Sequence, residues 1–136
     1  MVSARKREED EMNSLHSPRV RNALDRLFTE AARDENRGPR WPAGISAETA
    51  TAAERANAMA HVYMPVSRDG GNLLYSFVRA IRPATVVEFG TSFGISTIFL
   101  AAAVADNGTG TVISTELNGD KIAAARANLR EQLQCA

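Results

Sequence analysis

Two glutamates, and the glycine loop that follows the first, are the residues of this chain whose types and spacing could do chemistry. Glu88 closes the apolar run Thr85-Val86-Val87, and Phe89-Gly90-Thr91-Ser92-Phe93-Gly94 follows at once. The loop opens into Ile95-Ser96-Thr97-Ile98-Phe99-Leu100, which reads as the start of a buried helix. A strand that stops at an acid and turns through glycine into a helix is a nucleotide-binding corner. The acid narrows the ligand. Dinucleotide enzymes carry G-x-G-x-x-G here, because a pyrophosphate must reach the backbone at a helix N-terminus. A carboxylate at the strand end would repel that pyrophosphate. It suits a ligand with a cationic amino-acid end, such as the ammonium of a methionyl group. Gly90 lets the backbone pass close to such a ligand with no Cβ in the way. Ser96, in the first helical turn, can offer its hydroxyl to the ligand's carboxylate, aided by the positive end of the helix dipole.

Glu116 ends a second apolar run that begins at Thr111. It follows the glycine loop by roughly 20 residues, the place from which an acid commonly binds both hydroxyls of a ribose. Two carboxylate oxygens in a fork fit a vicinal diol, and Leu117 would then lie beside an adenine. Glu116 alone would suit a nicotinamide dinucleotide equally well; the glycine spacing and Glu88 disfavour that reading.

The elements that must position these residues follow from periodicity. Ser17-Pro18 starts a helix with Val20, Ala23, Leu24, Leu27, Phe28 and Ala31 on one face, and Asn36-Arg37-Gly38-Pro39 ends it. A second, alanine-rich helix is expected from Ser46, as its cap, to about Tyr63. After Pro65, Ser67 or Asp69 caps a third, whose apolar face is Leu73, Leu74, Phe77, Val78 and Ile81; Pro83 stops it. Residues 84–89 show no polar alternation until Glu88, which predicts a strand covered on both faces, in a parallel sheet flanked by helices. A helix over 94–105, a turn, a strand over Thr111–Glu116 and a last helix capped by Asn118 complete the order. The expected fold class is α/β, with a right-handed βαβ crossover. Residues 1–16 read as a disordered tail, 17–66 as a helical cap region and 67–136 as a partial Rossmann-like domain.

Length and composition bound the rest. A chain of 136 residues with 44% hydrophobic and 24% charged residues predicts one soluble globular domain. The formal net charge of +0 argues against a general attraction to nucleic acid or anionic membrane. The acids right behind Arg5-Lys6-Arg7 cancel that short basic run. The longest apolar stretch, around Ile95–Ala105, is too short to span a bilayer. The residues after Met1 are charged rather than apolar, and the lone Cys135 can form neither an internal disulfide nor a cysteine metal cluster, so a cytoplasmic location is expected. His16 and His61 do not stand at metal-ligand spacing.

The stretch Glu88-Phe89-Gly90-Thr91-Ser92-Phe93-Gly94-Ile95-Ser96 resembles the acid-x-Gly-x-x-x-Gly-Tyr-Ser signature of class I S-adenosylmethionine-dependent methyltransferases, with Ile95 in the tyrosine's place. Within that family the chain looks like the small-molecule O-methyltransferases related to catechol and caffeoyl-CoA O-methyltransferases. Met64-Pro65-Val66-Ser67-Arg68-Asp69-Gly70-Gly71 is similar to the segment just before their core, and the resemblance covers residues 64–134. It implies a Rossmann-like methyltransferase fold and S-adenosyl-L-methionine as cofactor. By the same match Glu88 takes the methionyl ammonium, Ser96 the carboxylate and Glu116 the ribose. Met64 and Val66 cover the cofactor, and Ser92 lines the methionyl pocket together with the loop residues Gly90, Thr91 and Gly94. The implied partner is a small-molecule hydroxyl acceptor, and the helical region 18–63 is the implied cap over the substrate mouth and a candidate homodimer contact. The family's sheet has seven strands, of which this chain carries the first two. The expectation is a truncated enzyme with an unpaired strand edge and limited solubility. The half it lacks is where the family keeps its Mg²⁺ ligands and its base. No catalytic residue and no metal ligand is assigned. The competing reading is a non-enzymatic helical dimerisation or regulatory module with a relic cofactor-binding half-domain.

Overall fold

Two short runs rich in β-branched residues, Thr85–Phe89 (β1) and Thr111–Thr115 (β2), pair in parallel with Glu88 opposite Ser114 and Phe89 opposite Thr115. The computed structural model describes residues 13–34 and 37–133; the Arg5-Lys6-Arg7 run, Asn36 and Cys135 lie outside the described residues. Among the described residues five α-helices accompany the pair: α1 (Pro18–Ala32), α2 (Ala52–Ala58), α3 (Arg68–Ile81), α4 (Ile95–Asn107) and α5 (Gly119–Leu133). The arrangement is a mixed helix-and-sheet one, compatible with part of an α/β fold, with α4 as the crossover between β1 and β2.

Local chemistry sets most boundaries. The Ser17 hydroxyl accepts from the Val20 N–H, with Pro18 in the first turn of α1. Ser67, rather than Asp69, caps α3 by accepting from the Gly70 N–H at 3.0 Å. Gly94 and Gly108 bracket α4 with left-handed backbone, and Asn118 Oδ1 accepts from the Lys121 N–H at 3.0 Å to start α5. The second helix differs from expectation at both ends, stopping at Ala58 rather than near Tyr63. It does not begin at Ser46; residues 46–50 form turns, and α2 starts only where Thr51 and Glu54 make a reciprocal capping box. Arg55 reaches back to donate to the Ala47 and Ala50 carbonyls, both at 2.8 Å, which satisfies the turn and keeps it out of the helix. Residues 13–16, expected to belong to a disordered tail, instead form a 3-10 turn over Ser14–His16. Its Ser14 N–H and hydroxyl both donate to Asp106 at the end of α4.

The core runs from the N-terminal helix into the sheet layer. Leu15, Val20, Leu24 and Leu27 pack with Ile95, Ile98, Phe99 and Ala102 of α4, so α1 and α4 share one cluster rather than forming separate units. A second cluster joins Val78, Leu100 and Ala103 to Val86 and Val112 on the inner face of the sheet. Gly71 permits the α3–α4 contact: a Cβ there would stand 2.4 Å from the Phe99 ring. The expectation that the strands are covered on both faces is not met. Val87, Phe89 and Ile113 on the outer face are 56%, 86% and 51% exposed. The reason is positional: α3 and α4 cover the face carrying Val86 and Val112, and the other face is left largely exposed, with Ala56 of α2 near its carboxyl end.

Candidate functional site

The two acids stand at the carboxyl ends of β1 and β2, the edge at which open α/β sheets take ligands. The loop between them is held to β2 by its backbone, the Gly90 and Thr91 N–H groups both donating to the Thr115 carbonyl at 2.9 Å. A cavity of about 360 Å³ opens on the Glu88 side, lined among others by Met64, Val66, Glu88, Gly90, Ser92 and Ser96. A second of about 330 Å³ opens on the Glu116 side, lined by Ala56, Phe89, Gly90, Thr115, Glu116 and Leu117. Phe89 and Gly90 therefore form the common wall. Gly90 sits at φ +92°, and a Cβ on it would meet nothing within 4 Å, which leaves open space against left-handed backbone.

Of the ten expected cofactor contacts, eight line one cavity or the other; Thr91 and Gly94 line neither. Thr91 is buried, and its hydroxyl donates to Ser114 Oγ at 2.5 Å, whose own proton goes to Glu88. Gly94 packs under α5, with Ala125 and Leu129 3.7 Å from where its Cβ would be. Both residues hold the corner in shape.

Glu88 is surrounded by hydroxyls. Oε1 accepts from Ser96 Oγ, and Oε2 accepts from Thr97 Oγ1 and Ser114 Oγ, each at 2.5 Å. The Ser96 hydroxyl, expected to serve a ligand's carboxylate, is thus committed to Glu88. A carboxylate oxygen has two lone pairs, so Oε2 is filled while Oε1 keeps one acceptor position. Thr97 and Ser114 did not emerge from the sequence reading. Ser114 was recoverable from the parallel register, which puts it opposite Glu88 on the same face.

Glu116 is held differently, by backbone. Its Oε1 accepts from the Leu117 and Asn118 N–H groups at 2.8 and 3.0 Å, and its Oε2 from the Ser92 N–H at 2.8 Å. Burial pushes the carboxyl up, but the three N–H donors and the Lys121 ammonium outweigh it and hold it below the usual glutamate range. Lys121 is 3% exposed; burial pulls its ammonium down, partly offset by Glu116, and its Nζ lies 5.5 Å from the centre of the Phe93 ring. Phe93 in turn stacks on Tyr63 with centroids 3.9 Å apart and planes at 14°. The Tyr63 hydroxyl donates to Glu30 of α1; burial first, then that hydrogen bond, pushes the phenol upward. A stack of side chains from α5, the loop, the segment before α3 and α1 thus braces the wall of the first cavity. Nothing in the spacing of the sequence pointed to Tyr63 as part of it.

Among the described residues no group of three or more His, Cys, Asp and Glu side chains could hold a metal ion, and no helix is long and apolar enough to cross a membrane. No family model, no curated protein and no solved structure matches the chain.

Proposed function

We propose that the chain binds S-adenosylmethionine and serves the transfer of a methyl group to a hydroxyl group of a small molecule. The observation that carries the reading is the pair of cavities either side of Phe89–Gly90, with Glu88 in one and Glu116 in the other. A ligand with an ammonium at one end and a ribose diol at the other would cross Gly90 and present one end to each acid. The residues fit that group: Glu88 Oε1 has an acceptor position left, Gly90 leaves open space, and Glu116 is held ionised by its backbone donors. When bound, the sulfonium supplies a methyl group that an acceptor oxygen can take by in-line displacement.

The protein's own part in such a reaction is positioning. Glu88 would fix the amino-acid end and Glu116 the sugar, while Met64 and Val66 form the wall of the first cavity. Beyond that wall lies a hollow of about 530 Å³ lined by Phe28, Val62, Met64 and Val66 together with Asp34, Arg37 and Arg68, which suits an acceptor with an apolar body and a polar group. The alternative of a self-associating N-terminal helical module is less favoured, because α1 turns Leu24 and Leu27 into the core shared with α4.

Titration calorimetry with S-adenosylhomocysteine tests the proposal. The expected result is binding tighter than about 1 mM, about −4 kcal/mol. Glu88→Gln and Glu116→Gln should each weaken it ~10- to 100-fold, the loss of a hydrogen bond to a charged group. No heat and no thermal stabilisation at millimolar ligand would overturn it.

A further inference from the structure

We infer that Ser92 is a positioning residue that couples the two cavities, so that filling the Glu116 side changes the wall of the Glu88 side. The inference rests on the methyltransferase reading for its choice of ligands, but its geometry is separate. Ser92 carries φ +50°, a left-handed backbone uncommon for a residue with a side chain. It is held there from two directions. Its N–H donates to Glu116 Oε2 at 2.8 Å, and its hydroxyl donates to the Tyr63 carbonyl at 2.7 Å. The residue after Tyr63 is Met64, itself at φ +48°, which lines the Glu88 cavity. Two strained residues, one in the loop and one in the wall, are therefore joined by one hydrogen bond and by the Tyr63–Phe93 stack beside it. Strain of this kind persists only where surrounding contacts enforce it, and it collects at ligand clamps.

The lone-pair count on Glu116 says what a diol does to this arrangement. Oε1 already accepts two N–H groups and Oε2 one, which leaves a single acceptor position for two hydroxyls. Capturing both hydroxyls requires the carboxylate to release one N–H. Leu117 and Asn118 are the next two residues of the chain and turn with it; Ser92, from across the loop, does not. The Ser92 N–H is the donor released. Loss of that anchor lets Ser92 leave its left-handed conformation and frees the Tyr63 carbonyl, and Met64 moves with it. Adenosine on one side thus opens the other to the amino-acid end of the ligand.

The test uses the two halves of the ligand as separate probes, adenosine and methionine, on the intact chain. Adenosine should raise methionine affinity about 10-fold, within the usual range of coupling between sites. It should also shift the Met64 methyl resonance in protein carrying methyl-labelled methionine, assigned with Met64→Leu. Ser92→Gly keeps the backbone conformation accessible and removes the hydroxyl; in it, adenosine should no longer change methionine affinity or shift the Met64 methyl resonance, whatever the affinity of each fragment alone. If adenosine and methionine bind wild type independently, or Met64 does not respond to adenosine, the coupling is refuted even though S-adenosylhomocysteine binds. The wild-type methyl shift stands as a readout if Ser92→Gly fails to fold. If neither fragment nor S-adenosylhomocysteine binds wild type, the methyltransferase reading fails first and the coupling with it.

Discussion

Glu88 and Glu116 are the same residue type at equivalent strand ends, yet they are held by different kinds of donor. Glu88 faces three hydroxyls, which can rotate and exchange partners at little cost. Glu116 faces three backbone N–H groups, which move only when the chain that carries them moves. The difference is measurable through pH. Because its folded-state affinity for a proton is depressed, Glu116 adds stability that is complete above the ordinary glutamate value. That stability is lost as pH falls through the lower folded value. Acid unfolding followed by circular dichroism should therefore show a steeper loss of stability in that window for wild type than for Glu116→Gln. Equal slopes for the two would mean the backbone donors do not hold the charge. Glu88 is the one charged side chain among the residues lining its cavity, so its negative charge has no counter-charge there.

The helices hold the loop by close fit. Gly71 lets α3 approach the Phe99 ring of α4, and the buried Phe99 joins the cluster that α1 also enters. Gly71→Ala puts a methyl group where ring carbons stand and should cost about 1 to 3 kcal/mol as overpacking, read as a lower midpoint in urea unfolding. An unchanged midpoint would mean the two helices part without loss. A second link ties the N-terminal turn to the end of α4: the Tyr75 hydroxyl donates to Asp106 at 2.6 Å, beside the Ser14 donors, and burial with that bond pushes the phenol up to about 12. Asp106→Ala removes the shared acceptor, so Ser14 N–H and Tyr75 lose their partner together. Limited proteolysis should then cut near residues 13–17 sooner than in wild type, and an unaltered cleavage pattern would show that Leu15 alone holds the turn.

Taken together, the molecule has one well-covered side and one bare one. The inner face of the sheet lies under α3 and α4, whereas Val87, Phe89 and Ile113 face outward, and α3 adds a stripe of exposed Leu73, Phe77 and Ile81. β1 pairs with β2 alone among the described residues, so its far edge has open backbone groups. With a formal net charge of +0 there is little repulsion to oppose association. Sedimentation velocity should show the average mass of the isolated chain rising with concentration, and a Val87→Ser, Phe89→Ser double variant should rise less. A chain that stays monomeric at high concentration would show the bare face to be tolerated by water.

Much of this was legible from the chain alone. Apolar periodicity, the Ser17, Ser67 and Asn118 caps and the glycines at 94 and 108 placed α1, α3, α4 and α5, because those signals act within a turn or two of backbone. Both acids were marked by their position after β-branched runs, and their strands pair in parallel as expected, although the cover on both faces from which that pairing was argued is absent. The late start of α2 was missed because alanine spacing spoke louder than the Thr51–Glu54 box. What only the folded chain decided is who shares each acceptor. Ser96, Thr97 and Ser114 meet on Glu88, and Ser92 bridges Glu116 to Tyr63, across separations of up to 29 residues. Such pairings depend on register, strain and the approach of distant helices, and no local pattern encodes them.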